Sequence, residues 1–385
     1  MPWADEPRGQ EFYDTVEEVV DGILKYNAKS LKILQGISQG DVTIPKSMTL
    51  ADDEKREKEK IKYVASQERV RLKVNIYYMV GNHDWFFYIP DKQMDPIRNK
   101  VIDTLGLANP KNTPFPFHRD EYKPLLDVQE IHRVFAEHGD QFDPVNYRAP
   151  RRDRSSEGDV VVIRLLNAIP KGVELYLEKI PGIATHKKEV DLFIKLLYEI
   201  DNLRPYALAP AWITQAIKQS GLHPEIADKA LGEALRILAL KYLNNKLVTK
   251  AWYIQLFIFL VNTKWLWQYF NIQLLAMLLR NSRWTRNTPE SYKKFAIEQA
   301  SKQEKDFFLM GHTHYAEIVP ICNYKENDVT RSKIYLNTGT WRAVHLLADN
   351  EKDFISFKSM TIAGFYKDDE RKGRSFEFWT GSLAL

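Results

Sequence analysis

Val74-Asn75-Ile76-Tyr77-Tyr78-Met79-Val80 runs directly into Gly81-Asn82-His83-Asp84, and the reading of that junction decides the fold. Residues 74–80 are mostly β-branched or aromatic, the composition of a buried strand. The run stops at a glycine and then presents an amide, an imidazole and a carboxylate in succession. In an α/β sheet, the loop beyond a strand's carboxyl end is where ligands bind. The same shape recurs at Phe307-Phe308-Leu309-Met310 followed by Gly311-His312-Thr313-His314, and again at Val134-Phe135-Ala136-Glu137-His138-Gly139-Asp140. Three apolar leads ending in loops of Gly and His predict a metal site assembled along one sheet edge. Imidazole nitrogens with Asn and Asp oxygens are ligands of intermediate hardness, suited to Mn, Fe, Zn or Co.

Composition narrows the remaining classes. A chain of 385 residues with 44% hydrophobic and 28% charged residues reads as globular and long enough for one large or two ordinary domains. Its 55 basic and 51 acidic residues nearly balance, at a net +4, so no nucleic-acid partner is expected. The single cysteine, Cys322, leaves no internal disulfide framework and suits a reducing, cytoplasmic setting. The polar N-terminus does not read as a signal peptide. The most apolar stretch, 251–279, is interrupted by Lys264 and falls short of a spanning helix. It reads as packed helix; its Trp252, Phe257, Trp265, Trp267 and Phe270 also allow a cap over the site or peripheral membrane contact.

Along the chain, Phe12, Val16, Val20 and Ile23 predict an amphipathic helix over 11–27, and Asp52–Lys62 reads as a solvated helix. Residues 36–50 and the proline-bearing 92–125 read as loops, and 131–136 as a short strand. From about 186 to 285 the pattern is helical. A helix over 292–305 feeds the strand 307–310, a step that builds parallel sheets. The tail, 354–366 and 375–379, reads as a β-hairpin. The division expected is therefore an α/β core over 1–185 and 289–385, interrupted by a helical insertion over 186–288. The basic loop containing Arg148, Arg151 and Arg152 could face phosphate through bidentate contacts. His118, His132, His186, His223 and His345 lack such context and read as structural or exposed.

Gly81–Asp84, His138-Gly139 and Gly311–His314, with the later Asn337-Thr338-Gly339-Thr340, resemble the calcineurin-like metallophosphoesterases. The likeness covers roughly residues 1–170 and 290–385. With the helical insertion and His138-Gly139-Asp140, it is loosely similar to the UDP-2,3-diacylglucosamine pyrophosphohydrolase branch. The resemblance implies a four-layer α/β/β/α sandwich. It also implies a centre of two divalent metals (Mn, Fe or Zn), with Asn82, His138 and His312 on one and His314 on the other. His83 would stand beside the reacting phosphate, oriented by Asp84. The implied activity is hydrolysis of a phosphomonoester, phosphodiester or pyrophosphate by a metal-activated hydroxide, on a phosphorylated small-molecule or lipid-linked substrate.

The family's first two motifs are missing. No D-x-H lies on an N-terminal strand, and no GD-x-x-D precedes GNHD. Gly139-Asp140-Gln141-Phe142-Asp143 has that spelling but follows GNHD, and Gly40-Asp41 lacks the second aspartate. The chain is thus expected to begin just beyond GD-x-x-D, without two core strands and three or four ligands, and to be poorly stable alone. Either the native protein is longer at its N-terminus, or the chain is an inactive relative that keeps the fold as a scaffold for binding.

Overall fold

In the sheet nearest the predicted site, alternate residues of one short strand face two different cores. Phe307 and Leu309 join Val134 and Leu336 on one side, and Phe308 and Met310 join Tyr335, Ala296 and Ala300 on the other. That period of two is what a strand covered on both faces requires. The structure is a computed structural model that describes residues 8–46, 48–50, 63–143, 146–147, 152–156, 159, 167–203, 208–243, 289–350, 353–367, 370 and 374–384. The predicted helix 52–62 and the aromatic stretch 251–279 therefore lie outside the described residues.

The chain forms two units, one of residues 1–80 and 84–117, the other of residues 81–83 and 118–385. The boundary expected at 186 lies inside the second. The first unit opens with helices α1 (Gln10–Tyr26) and α2 (Ala28–Gln39). Strands β1 (Val42–Pro45), β2 (Met48–Leu50), β3 (Tyr63–Ala65) and β4 (Arg69–Leu72) follow, and α3 (Asp95–Leu105) closes the set. β1 pairs antiparallel with β4, and β2 with β3. α1 buries Phe12, Val16 and Val20, as its spacing predicts, with Phe12 against Trp85.

Three expectations in this unit are corrected. Residues 36–50 begin not as loop but as helix, because α2 continues through Gly36 and ends where Gly40 takes a left-handed φ of 82°. The 92–125 stretch contains α3 and the start of a further helix. Its prolines at 96 and 124 sit in the first turns, where a missing N–H costs nothing. The run 74–80 is not a ladder strand. It makes one isolated parallel bridge, Ile76 with Leu107. Beyond that bridge, the Asn109 side chain stands in for a neighbouring strand: its Oδ1 accepts from the Tyr78 N–H (2.7 Å) and its Nδ2 donates to the Tyr78 carbonyl (2.9 Å). The Val80 N–H then reaches the Pro116 carbonyl. A partner segment built on Pro and Asn satisfies the backbone point by point, not as a sheet.

The second unit adds α4 (Lys123–Ile131) and β5 (Val134–Ala136), where the sequence had suggested strand from 131. Helices α5 (Ile169–Leu177), α6 (Lys187–Tyr198), α7 (Ala209–Ser220) and α8 (Pro224–Leu243) bury a core of their own, centred on Val173, Phe193, Leu197, Ile213 and Leu231. Helical structure thus begins at 169, before the compositional shift at 186. Next come α9 (Pro289–Ala300), β6 (Phe307–Met310), β7 (Ala316–Glu326) and β8 (Val329–Thr338). β9 (Ala343–Leu347), β10 (Phe354–Phe365) and β11 (Phe376–Ala384) end the chain.

One sheet runs β5-β6-β8-β7, with β5, β6 and β8 parallel and β7 antiparallel to β8. The other runs β11-β10-β9 and is antiparallel throughout, its β10–β11 pairing being the expected hairpin. Phe365 and Phe376 of this second sheet meet Phe307 of the first at ring distances of 5.0 and 5.3 Å, while α9 covers the first sheet's opposite face. The fold is accordingly α/β, with mixed and antiparallel sheets. Among the described residues no helix is long and apolar enough to cross a membrane.

Candidate functional site

Because β5, β6 and β8 are parallel, their carboxyl ends open on one edge, and the loops that leave them carry His138, His312 and the Asn337–Gly339 turn. Asn337, fully buried, ties two of these loops together. Its Nδ2 donates to the Gly311 carbonyl (2.6 Å) and its Oδ1 accepts from the Gly339 N–H (2.9 Å). The Gly311 N–H donates in turn to the His138 carbonyl (3.1 Å). Gly139 is needed after His138 because φ there is 98°, with Met310 packed close.

The side chains close into a ring. His138 Nε2 lies 3.0 Å from Asn82 Oδ1, and Asn82 Nδ2 donates to Asn146 Oδ1 (3.2 Å). Asn146 Nδ2 donates to Asp143 Oδ2 (2.5 Å), which lies 3.0 Å from His312 Nε2. The His138 and His312 rings complete the circuit edge to face, with centroids 5.4 Å apart. Asn82 is 4% exposed and Asp143 1%. Gly81 makes the approach possible, since a Cβ there would fall 2.8 Å from the His138 ring. His312 and His314 both hold left-handed backbone, φ 61° and 66°, which is rare outside Gly and Asn and concentrates at functional sites.

Beside the ring, His83 is about half exposed, and its Nδ1 lies 3.2 Å from Asp159 Oδ1. Asp159 is buried; its Oδ2 accepts from Ser155 Oγ (2.9 Å) and its N–H donates to Ser156 Oγ (3.1 Å). The carboxylate expected to orient His83 was Asp84. That carboxylate accepts the buried Tyr78 hydroxyl, whose pKa rises well above 10.0 through burial first and the Asp84 charge second.

Of the predicted basic contacts, Arg152 is 7% exposed and forms an ion pair with the fully buried Asp140, its guanidinium 5.4 Å from the Tyr147 ring. Arg148 and Arg151 lie outside the described residues. The remaining histidines are placed as structural or exposed groups. His345 is buried between Ser356 and Glu199 and stacks on Trp212. His118 pairs with Glu137, a hydrogen bond that raises its pKa despite partial burial.

Asn82, His83, His138 and His312 are thus gathered in one neighbourhood. Asp143, Asn146, Asp159 and Ser155 join them unforeseen by sequence reasoning. Asp143 did carry a signal: it ends the Gly139–Asp143 run whose spelling matched a missing motif in the wrong order. Ser155 and Asp159 carried none.

The donor chemistry, two imidazoles with a carboxylate and an amide oxygen, fits a divalent transition ion. As they stand, however, the donors are engaged in pairs. No group of three or more His, Cys, Asp and Glu side chains among the described residues is gathered to hold an ion. The residues do not fit the two-metal centre that the resemblance implied. Compared with protein-family models, curated proteins and solved structures, the chain matches none.

Proposed function

We propose that the chain is a metal-dependent phosphoesterase related to the calcineurin-like family, acting on a phosphomonoester, phosphodiester or pyrophosphate. One observation carries the reading. Asn82 and His138, 56 residues apart in sequence, and Asp143 and His312, 169 apart, stand in one partly buried polar ring at the carboxyl ends of parallel strands. The packing of helix on sheet on sheet also supports the family's layered sandwich.

In this reading Asn82, His138, Asp143 and His312 hold the cation. When bound, a divalent ion supplies Lewis acidity that lowers a water's pKa and neutralises phosphoryl charge. His83 stands outside the ring and handles the substrate's proton. With Nδ1 engaged by Asp159, Nε2 is the nitrogen that gives a proton to the leaving oxygen. Ser155 and the Ser156 hydroxyl hold Asp159 in place, so the imidazole keeps one orientation.

The test is turnover of an aryl phosphate diester with Mn²⁺. Loss of about 100-fold or more in both His83→Ala and His312→Ala is expected, and unchanged turnover in both overturns the assignment. A second reading, a phosphoesterase-like fold kept for binding without catalysis, draws on the pairwise engagement of the donors. It requires a folded protein with no Mn²⁺-dependent turnover.

A further inference from the structure

We propose that this chain pairs with a second copy of itself along strand β11. The two β11 strands run antiparallel, joining two three-stranded sheets into one. The pairing does not depend on the catalytic reading; it follows from how the sheet edges are finished.

An exposed edge offers a row of unpaired N–H and C=O groups, and proteins blunt it with short strands, Pro, Lys, bulges or a covering segment. Other edges of the second unit are treated in this way. β5 has three residues. β7 carries Pro320 and an irregular register between Pro320 and Cys322, and it ends in Lys325-Glu326. β9 is met on its outer side by Leu203, which bridges His345. β11 is left without such a device. It pairs with β10 from Phe376 to Ala384 with no shift of register, and among the described residues its other side has no strand partner. Its sequence, Phe-Glu-Phe-Trp-Thr-Gly-Ser-Leu-Ala, contains no proline and a single charge, Glu377. That charge is engaged: Glu377 accepts from the Tyr366 hydroxyl (3.0 Å) and from Arg374 Nη1 (3.1 Å).

The strand is also complementary to itself. Phe376 and Phe378 pack toward the first sheet, so Glu377, Trp379 and Gly381 fall on the outer face. There Trp379 is 66% exposed, opposite Ile362 at 56%, and Gly381 lies opposite Met360 at 45%. A Cβ at Gly381 would meet nothing within 4 Å. In an antiparallel pair centred on Thr380, each Trp379 stands across from Gly381 of the second copy, and its indole fills that open space. An aromatic ring laid over a cross-strand glycine is a known way of securing a sheet edge. The contact occurs twice about a two-fold axis through the Thr380 pair, which closes the assembly at two copies. An extended segment of another protein would pair with the backbone alike. The match of Trp379 to Gly381 on one strand is what favours a second copy.

The experiment is sedimentation equilibrium of the full chain across the micromolar range. A dimer is expected. Trp379→Lys with Gly381→Lys sets like charges against each other in both cross-strand pairs and should weaken dimerisation at least about tenfold. Both positions are open in the single chain, so the variant's circular-dichroism spectrum and Tm should stay those of the parent. Mixing it with Trp379→Glu/Gly381→Glu should restore a mixed dimer, because each lysine then faces a glutamate. If the charged variants do not fold, Thr380→Cys replaces them, in a Cys322→Ser background because Cys322 is exposed. Mild oxidation should then link two copies across the axis. A chain that stays monomeric overturns the proposal and leaves the edge to another protein. A dimer that the lysine variant leaves unchanged, or a Thr380→Cys chain that does not cross-link, overturns it as well.

Discussion

Gly81 is a residue whose absence of a side chain does measurable work. A methyl at that position would sit 2.8 Å from the His138 ring, closer than real Cβ contacts occur, while His138 is held at Nε2 by Asn82. Gly81→Ala is expected to leave the fold intact, because the ring can turn aside, and to cost about 10–100-fold in metal affinity. Calorimetric titration with Mn²⁺ checks this, and wild-type affinity would show that the His138–Asn82 contact is dispensable. Arg152 is a residue whose role the structure changes. Removing it strands the fully buried Asp140 carboxylate. Arg152→Ala is therefore expected to destabilise the protein by about 3–5 kcal/mol, read from denaturant unfolding. An unchanged stability with a raised KM would return Arg152 to substrate binding.

At the scale of elements, strands and caps differ in how much local sequence says. The alternation in Phe307–Met310 reads directly as a strand covered on both faces, and β6 is found there. Residues 74–80 have an equally strong strand composition yet make a single bridge. A strand needs a partner as well as a pattern, and the partner here is a loop of Pro and Asn whose side chain takes over the pairing. The prolines at 96 and 124 mislead in the opposite direction, since the same residue that breaks a helix interior is favoured in its first turn. In the site, His138 and His312 were legible because each follows a strand end. Ser155 and Asp159 were not, because Asp159 reaches His83 across a separation that leaves no local pattern, and Ser155 acts only on Asp159.

Across the whole molecule, both units bury a phenol. Burial pushes Tyr13 in the first unit up to about 12, with Asp91 adding to the shift, and pushes Tyr335 in the second to about 12 as well. For both, the folded pKa lies above the ordinary 10.0. Their stabilising contribution is therefore fully present below pH 10 and is lost as pH rises through about 12. Phenolate absorbance followed together with circular dichroism should show a late ionisation step coinciding with loss of structure. Simultaneous titration of every tyrosine near pH 10 in a folded protein would contradict this burial.

Local order alone was enough to mark an α/β chain, the C-terminal hairpin and the histidine-bearing loops after β5 and β6, because strand composition and alternation act over a few residues. Which carboxylates serve those histidines was decided only by tertiary structure. Asp143 reaches His312, Asp159 reaches His83 and Arg152 turns inward to Asp140. Such pairings depend on where parallel strands and their loops converge in space, and that convergence has no fixed spacing in the chain.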